Sequence, residues 1–159
     1  MLSSDRRVLL LGLLALPACG FTPAYAPGGP GQALRGHVRA RDPSSSPEFD
    51  FVAAFEERLG RPSAPRFTLD YDIDLSERGA ARVAGLGETR ITRFGTIRYS
   101  LTDEATGETV TEGSLRNFTN YSTTDTQLAT RRAEEDADQR LMRLLADQVA
   151  ARLIAALTE

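Results

Sequence analysis

The chain of 159 residues has no lysine, one histidine and one cysteine, and each scarcity excludes a class of chemistry. A single cysteine cannot form an internal disulfide or a Cys/His metal cluster. The one histidine, His37, lies among arginines on a predicted strand, without the partners of a Ser-His-Asp system. The sequence also lacks a glycine-rich phosphate loop and a nucleophile elbow. We therefore expect a non-enzymatic protein with no metal site and no cofactor.

The charge balance argues against a nucleic-acid partner. The sequence has 19 basic and 22 acidic residues, a formal net charge of −3 at pH 7, whereas nucleic-acid-binding domains are usually basic. All the basic residues are arginines. Codon bias in a GC-rich genome explains this, and we favour it. The alternative is a functional need for guanidinium groups, which bind phosphates and carboxylates in bidentate fashion. Composition does not separate the two explanations.

Residues 1–18 have the pattern of a bacterial lipoprotein signal peptide. Arg6 and Arg7 precede an apolar stretch at 8–16 that is too short to span a bilayer. The segment ends in Leu-Pro-Ala before Cys19, so cleavage there would expose the Cys19 thiol and a new amine for acylation. The alternative is ordinary secretion with an unpaired cysteine, which is unusual in an oxidising compartment.

Acylated Cys19 would anchor the mature chain in the outer membrane, facing the periplasm. Gly20 occupies the position where an aspartate would favour retention at the inner membrane. Two or three acyl chains hold a protein stably, since a single chain binds only marginally. Proline and glycine are frequent in residues 19–32, which predicts a flexible tether. Residues 33–159 are then expected to form a single domain.

Hydrophobic periodicity predicts an α+β fold with the element order β-α-β-β-β-α. The expected strands cover 33–40, 67–75, 89–103 and 108–121. One expected helix begins at Ser46-Pro47 and ends before Gly60, and a long one has apolar residues at every fourth position over 129–157. Each strand has one apolar face, so we expect a four-stranded sheet covered on one face by two helices.

Three finer expectations concern the sheet and its core. Residues 76–87, which include three glycines, are expected to be a mobile connection. Phe94 breaks the alternation of its strand, which predicts a bulge near Gly95. The outer faces of the first three strands are basic, acidic and basic. The predicted core comprises Phe49, Val52, Phe55, Leu69, Tyr71, Ile73, Tyr99, Leu101, Leu141, Leu145, Val149 and Leu153.

The mature start, Cys-Gly-Phe-Thr-Pro at 19–23 followed by Tyr25, resembles that of the LPS-assembly lipoprotein family LptE. The element order, the hairpin sequence at 99–103, Tyr121 and the long last helix extend the resemblance over nearly all of the mature chain. It implies a protein that plugs the outer-membrane β-barrel of the lipopolysaccharide translocon, assists assembly of that barrel and binds lipopolysaccharide in transit.

Lipopolysaccharide is rich in phosphates and carboxylates, so arginines on a strand face are the candidate ligand-binding residues. We expect Arg90, Arg93 and Arg98 of the third strand and Arg116 of the fourth to contribute. Arg90 and Arg98 share a face, whereas Arg93 would join Arg98 only through a bulge. These arginines could instead balance the aspartates of the second strand. A functional alternative is an auxiliary lipoprotein subunit of an ABC-type lipid transport system.

Overall fold

The computed structural model describes residues 26, 28–83, 87–123 and 126–157. The elements in chain order are α1 (Pro30–Leu34), β1 (Val38–Ala40), α2 (Ser46–Leu59), β2 (Phe67–Val83), β3 (Gly87–Asp103), β4 (Glu108–Ser122) and α3 (Gln127–Ala156). The predicted α+β class and the order β-α-β-β-β-α are confirmed, with the short helix α1 added in front.

The four strands form one sheet in the order β1-β2-β3-β4, with β1 parallel to β2 and the other pairs antiparallel. The prediction of a mobile connection at 76–87 is wrong for residues 76–83 and 87, because β2 and β3 pair from Phe67–Asp103 to Val83–Gly87. Residues 84–86 of that segment lie outside the described residues. Small and polar residues interrupt the alternation of apolar and polar side chains in this stretch, but the pairing between the two strands continues. Register shifts between Gly79 and Arg82 absorb the irregularity.

The first predicted strand is shorter than expected. Residues 30–34 form α1, which has a proline in its first turn, where the missing N–H costs nothing. Gly36, at φ 74°, turns the chain into β1, and His37 lies in that turn rather than in a strand. Leu34 is fully buried, so its apolar position was identified correctly while its secondary structure was not.

The core lies between one face of the sheet and the two helices α2 and α3. Phe49, predicted to be in the core, is instead 61% exposed. Phe51, Phe55 and Leu59 are spaced four apart and form the buried stripe of α2 in its place. Val52 and Ile73 are only partly buried. The remaining nine predicted core residues are all buried.

The expected bulge at Gly95 is absent. Gly95 pairs in continuous register with Leu75 on one side and Asn117 on the other. It faces α3, and a Cβ placed there would lie 3.1 Å from the side chains of both Leu141 and Leu145. The glycine therefore gives α3 room to pack closely. Phe94 needs no bulge because it lies on the outer face of the sheet.

Candidate functional site

A ladder of charges lies on the outer face of the sheet, away from the helices. The Nη2 atom of Arg98 donates to Asp72 at 2.9 Å and to Asp74 at 2.7 Å, so the alternation of basic and acidic strands produces real ion pairs. The hydrogen bond to Asp72 and the charge of Asp74 raise the pKa of Arg98. All three side chains are well exposed, and exposed pairs contribute little to stability.

Arg93 lies on the opposite, covered face of the sheet. Its Nε and Nη2 atoms donate to the two carboxylate oxygens of Asp138 on α3, at 2.8 and 3.2 Å. Its Nη1 atom also donates to Glu77 of β2, at 3.1 Å. The side chain of Arg93 is only 16% exposed. Burial lowers the pKa of Arg93, but the hydrogen bond and charge of Asp138 outweigh it and leave the pKa raised. Arg93 therefore ties α3 to the sheet.

Arg116 belongs to an aromatic patch on the outer face, formed with Phe94 and Phe118. Its guanidinium carbon lies 4.8 Å from the centre of the Phe94 ring, a cation–π contact. The rings of Phe94 and Phe118 are 6.0 Å apart and tilted by 48°. Phe118 remains 55% exposed, so the patch presents both a cation and an apolar surface to its surroundings.

Arg90 opens into a cleft between the ends of β3 and β4 and the first half of α3. The cleft has a volume of about 570 Å³ and is lined by Arg90, Asn120, Tyr121, Ser122, Ala133, Asp136 and Arg140. Arg140 donates to the backbone carbonyl of Asn120 at 3.2 Å and pairs with Asp136. Arg90 makes no ion pair with any residue that the structure describes. Burial raises the pKa of Tyr121 to about 12, so its hydroxyl stays neutral near pH 7.

The four predicted arginines therefore lie in different surroundings and do not converge on one point. Arg90 and Arg98 share the outer face, as their spacing predicted, while Arg93 faces the helices. Sequence reasoning missed Arg140, because its i,i+4 spacing from Asp136 is typical of an ordinary solvated helix face. Only the packing of α3 beside β4 brings Arg140 to the cleft of Arg90.

Two further properties concern the described residues only. They contain no group of three or more metal-ligating side chains. None of their helices is both long and apolar enough to cross a membrane. Cys19, the predicted acylation site, lies outside the described residues, and its modification stays a prediction.

Comparison with known proteins gives a family match and a set of shared folds. The family model "LptE: Lipopolysaccharide-assembly" matches residues 37–153, which is most of the chain. No curated protein matches the chain by sequence.

Several solved structures share the fold at low sequence identity. A Caulobacter crescentus protein assigned as a lipoprotein aligns with a TM-score of 0.68 and 17% identity, over 80% of this chain and 96% of that one. Rare lipoprotein B of Shewanella oneidensis aligns with a TM-score of 0.60 and 12% identity, over 77% and 95%. A minor lipoprotein of Acinetobacter baumannii gives 0.54 and 12%, over 75% and 89%.

Proposed function

The chain belongs to the LptE family of lipopolysaccharide assembly, and from this we propose that it is a non-enzymatic lipoprotein of the outer membrane. In this proposal, acylated Cys19 anchors the chain on the periplasmic side. The folded domain plugs the β-barrel of the lipopolysaccharide translocon, assists the assembly of that barrel and binds lipopolysaccharide during its delivery to the outer leaflet. The observation that carries the proposal is the family match. It runs from residue 37, just before β1, to residue 153, and so includes the whole sheet and most of α3.

The cleft of Arg90 and Arg140 is the best-supported place for an anionic group of lipopolysaccharide. Two guanidinium groups line it. Arg90 makes no ion pair with any described residue, whereas Arg140 is already paired with Asp136 and the Tyr121 hydroxyl donates to Glu77, so Arg90 is the cation with which an anion would pair first. Guanidinium groups suit phosphates because they donate two parallel hydrogen bonds. A phosphate at Arg98 would compete with two aspartates, and one at Arg93 would compete with Asp138 and lose the contact of the sheet with α3.

Arg116 offers a different kind of contact. Its guanidinium carbon lies over the Phe94 ring, and Arg116 makes no ion pair with any described residue, so its N–H groups stay available to an anion. Together with the exposed ring of Phe118, it presents a cationic and apolar surface that suits an amphiphile. We propose this surface as a second contact for lipopolysaccharide, in addition to the cleft of Arg90.

Lipopolysaccharide binding is tested by replacing Arg90 and Arg140 with alanine and measuring the affinity of the purified lipoprotein for labelled lipopolysaccharide. Each replacement should weaken binding by about tenfold, the effect of losing one charge-assisted hydrogen bond, and by less at high salt. Arg61→Ala removes a 90%-exposed arginine outside the cleft and controls for net charge. Unchanged affinity in both cleft variants would remove the binding site but leave the plug role in place.

The anchor and the partner are tested in cells. Cys19→Ser should block acylation and leave the chain unprocessed or soluble, which fractionation and mass spectrometry of the acylated peptide can establish. A pull-down of the wild-type lipoprotein in mild detergent should recover a heat-resistant barrel protein. Recovery of a periplasmic lipid-transport complex instead would support the ABC-type alternative and overturn the barrel assignment.

A further inference from the structure

The sheet has a free edge at β1, which pairs only with β2 among the described strands. The N–H of Arg41 donates to the carbonyl of Leu69 at 2.9 Å, so the pairing with β2 continues one residue beyond β1. In a strand, the backbone groups of alternate residues point to opposite sides. Since the odd-numbered residues bond to β2, the N–H and C=O groups of Val38, Ala40 and Asp42 point to the free edge.

These outward backbone groups have no partner in the part of the chain that the structure describes. No hydrogen bond on this side joins Val38, Ala40 or Asp42 to another described residue. A free edge of this kind can pair with a strand of another chain. The edge of β1 is short, so it suits a short extended peptide better than a second sheet.

A groove lies beside this edge, between β1 and α2. This β1 groove has a volume of about 530 Å³ and is lined by Arg39, Ala40, Asp42, Pro43, Val52, Glu56, Pro62 and Pro65. Ala40 and Val52 are half-buried and pack against the hydrophobic core, which makes part of the groove apolar. The three prolines have no N–H, so they cannot donate to the carbonyls of the edge. A peptide that adds to a strand is held by main-chain hydrogen bonds and selected by pockets for alternate side chains.

The chain just beyond β1 is held in place by contacts within the domain. The side chain of Arg41 donates to the carbonyl of Tyr71 at 2.9 Å, and the Tyr71 hydroxyl donates to the carbonyl of Arg41 at 3.1 Å. Glu48 of α2 accepts from the N–H of Ser44 at 2.6 Å. The edge is therefore pre-organised, which lowers the entropic cost of binding a partner.

The charge at the edge indicates which peptide fits. The side chain of Arg39 lies on the opposite face from those of Val38 and Ala40. Arg39 is exposed and makes no ion pair with any residue that the structure describes. In an antiparallel pair, directly opposite side chains lie on the same face and interact. A peptide residue opposite Arg39 is therefore best acidic, and its neighbours, which face the β1 groove, are best small and apolar.

From this arrangement we propose that the β1 groove binds an extended segment of a partner protein as a fifth strand of the sheet. Small apolar residues alternate with acidic ones in this segment, and it runs antiparallel to β1, the more stable arrangement per residue. Its apolar residues bond to the outward backbone groups of β1 and direct their side chains into the groove. The proposal leaves the cleft of Arg90 and the surface of Arg116 open, and it stands independently of the role in lipopolysaccharide assembly.

A fluorescent heptapeptide in which valine alternates with glutamate is the probe. Its fluorescence anisotropy should rise saturably with the concentration of the full-length lipoprotein in detergent. N-methylation of the valines removes the N–H groups that face β1 and should weaken binding more than about tenfold, since each lost hydrogen bond contributes up to about that factor. N-methylation of the glutamates should have little effect. Every peptide keeps its side chains, so the comparison isolates the main-chain hydrogen bonds.

Variants of Ala40 test the same hydrogen bonds from the side of the protein. Ala40→Pro removes an N–H that faces the free edge, a position where strands tolerate proline, and should weaken binding of the unmethylated peptide about tenfold. Ala40→Ser keeps the N–H at nearly the same size and should bind the peptide normally. Thermal melts of both variants check the fold, and the methylated peptides decide the question even if Ala40→Pro does not fold.

Reversal of the charge at Arg39 tests the expected composition of the segment. Arg39→Glu should lower the affinity for the glutamate peptide about fivefold and raise it for a peptide with lysine at the same positions. The proposal is overturned if the unmethylated peptide does not bind, if methylated glutamates weaken binding as much as methylated valines, or if Arg39→Glu leaves the preference unchanged. Binding that weakens as the protein concentration rises would assign the edge to a second copy of the chain and would also overturn it.

Discussion

At the scale of the residue, arginines of one strand have unrelated roles because their neighbours differ. Arg98 forms ion pairs with two exposed aspartates on the outer face, while Arg93, five positions earlier, is largely buried against α3. Sequence spacing separates the two faces, but it does not indicate that a helix supplies a carboxylate at the position of Arg93. Loss of the same side chain should therefore have very different consequences at the two positions.

Arg93→Ala should lower the free energy of unfolding by about 2–4 kcal/mol, because it leaves the partly buried carboxylate of Asp138 without its partner. Urea denaturation of the purified lipoprotein measures this loss. Arg98→Ala is the matched control and should leave the unfolding midpoint almost unchanged, because its ion pairs are exposed. Equal losses in the two variants would contradict the structural role of Arg93.

Tyr71 should make the protein sensitive to alkali. Burial raises its pKa from 10.0 to about 12, and its hydroxyl donates to the carbonyl of Arg41 at 3.1 Å. Below pH 10 the tyrosine is neutral in both the folded and the unfolded chain. Between pH 10 and 12 the unfolded chain loses the proton first, so stability should fall as the pH rises through this window. Thermal melts at pH 9 to 12 should show a smaller fall for Tyr71→Phe.

At the scale of the element, periodicity identified the strands and helices that bury a regular apolar face. It located the core of α3 because Leu141, Leu145, Val149 and Leu153 recur every four residues. It failed over residues 76–83, where the pairing of β2 with β3 maintains the strand without a regular apolar face. The site was less predictable, because the cleft depends on the tertiary placement of Arg140.

Two adjacent leucines of α3 allow a direct test of its packing. Leu145 is fully buried, whereas Leu144 is 41% exposed. Leu145→Ala should lower the free energy of unfolding by about 2–5 kcal/mol, the usual cost of a cavity in a packed core. Leu144→Ala should change it by only about 0.5 kcal/mol, as surface substitutions do. Chemical denaturation of both variants measures the difference, and similar values would mean that α3 does not pack on Gly95 as described.

At the scale of the whole molecule, the core occupies one end of a long sheet. The hydrophobic cluster takes its strand residues from 67–75 and 97–101 and from nearby positions of β1 and β4. Toward the Val83–Gly87 end of β2 and β3, Ile91 is a buried apolar residue outside that cluster. Regions with few buried apolar contacts open at low free energy.

Hydrogen exchange should reveal this gradient along a single hairpin. Amides of Leu69 and Leu101, which are fully buried, should exchange only on global unfolding. Amides of Arg78 and Thr92, which lie opposite each other near the far end of the hairpin, should exchange orders of magnitude faster. Mass spectrometry of deuterated peptides separates the two ends. Uniform protection along the hairpin would show that the far end is as stable as the core.

The meeting of α1 with the end of α3 has a practical consequence for measuring how the molecule is oriented. Gly28 and Pro30 line the same cavity as Leu157, so a fluorophore attached at Leu157 would report from beside the start of α1. A second fluorophore at Ala81 would lie toward the other end of the sheet, roughly 45 Å along β2 from Phe67, which lines that cavity. Energy transfer from each fluorophore to labelled lipid would then give the tilt of the sheet above a bilayer.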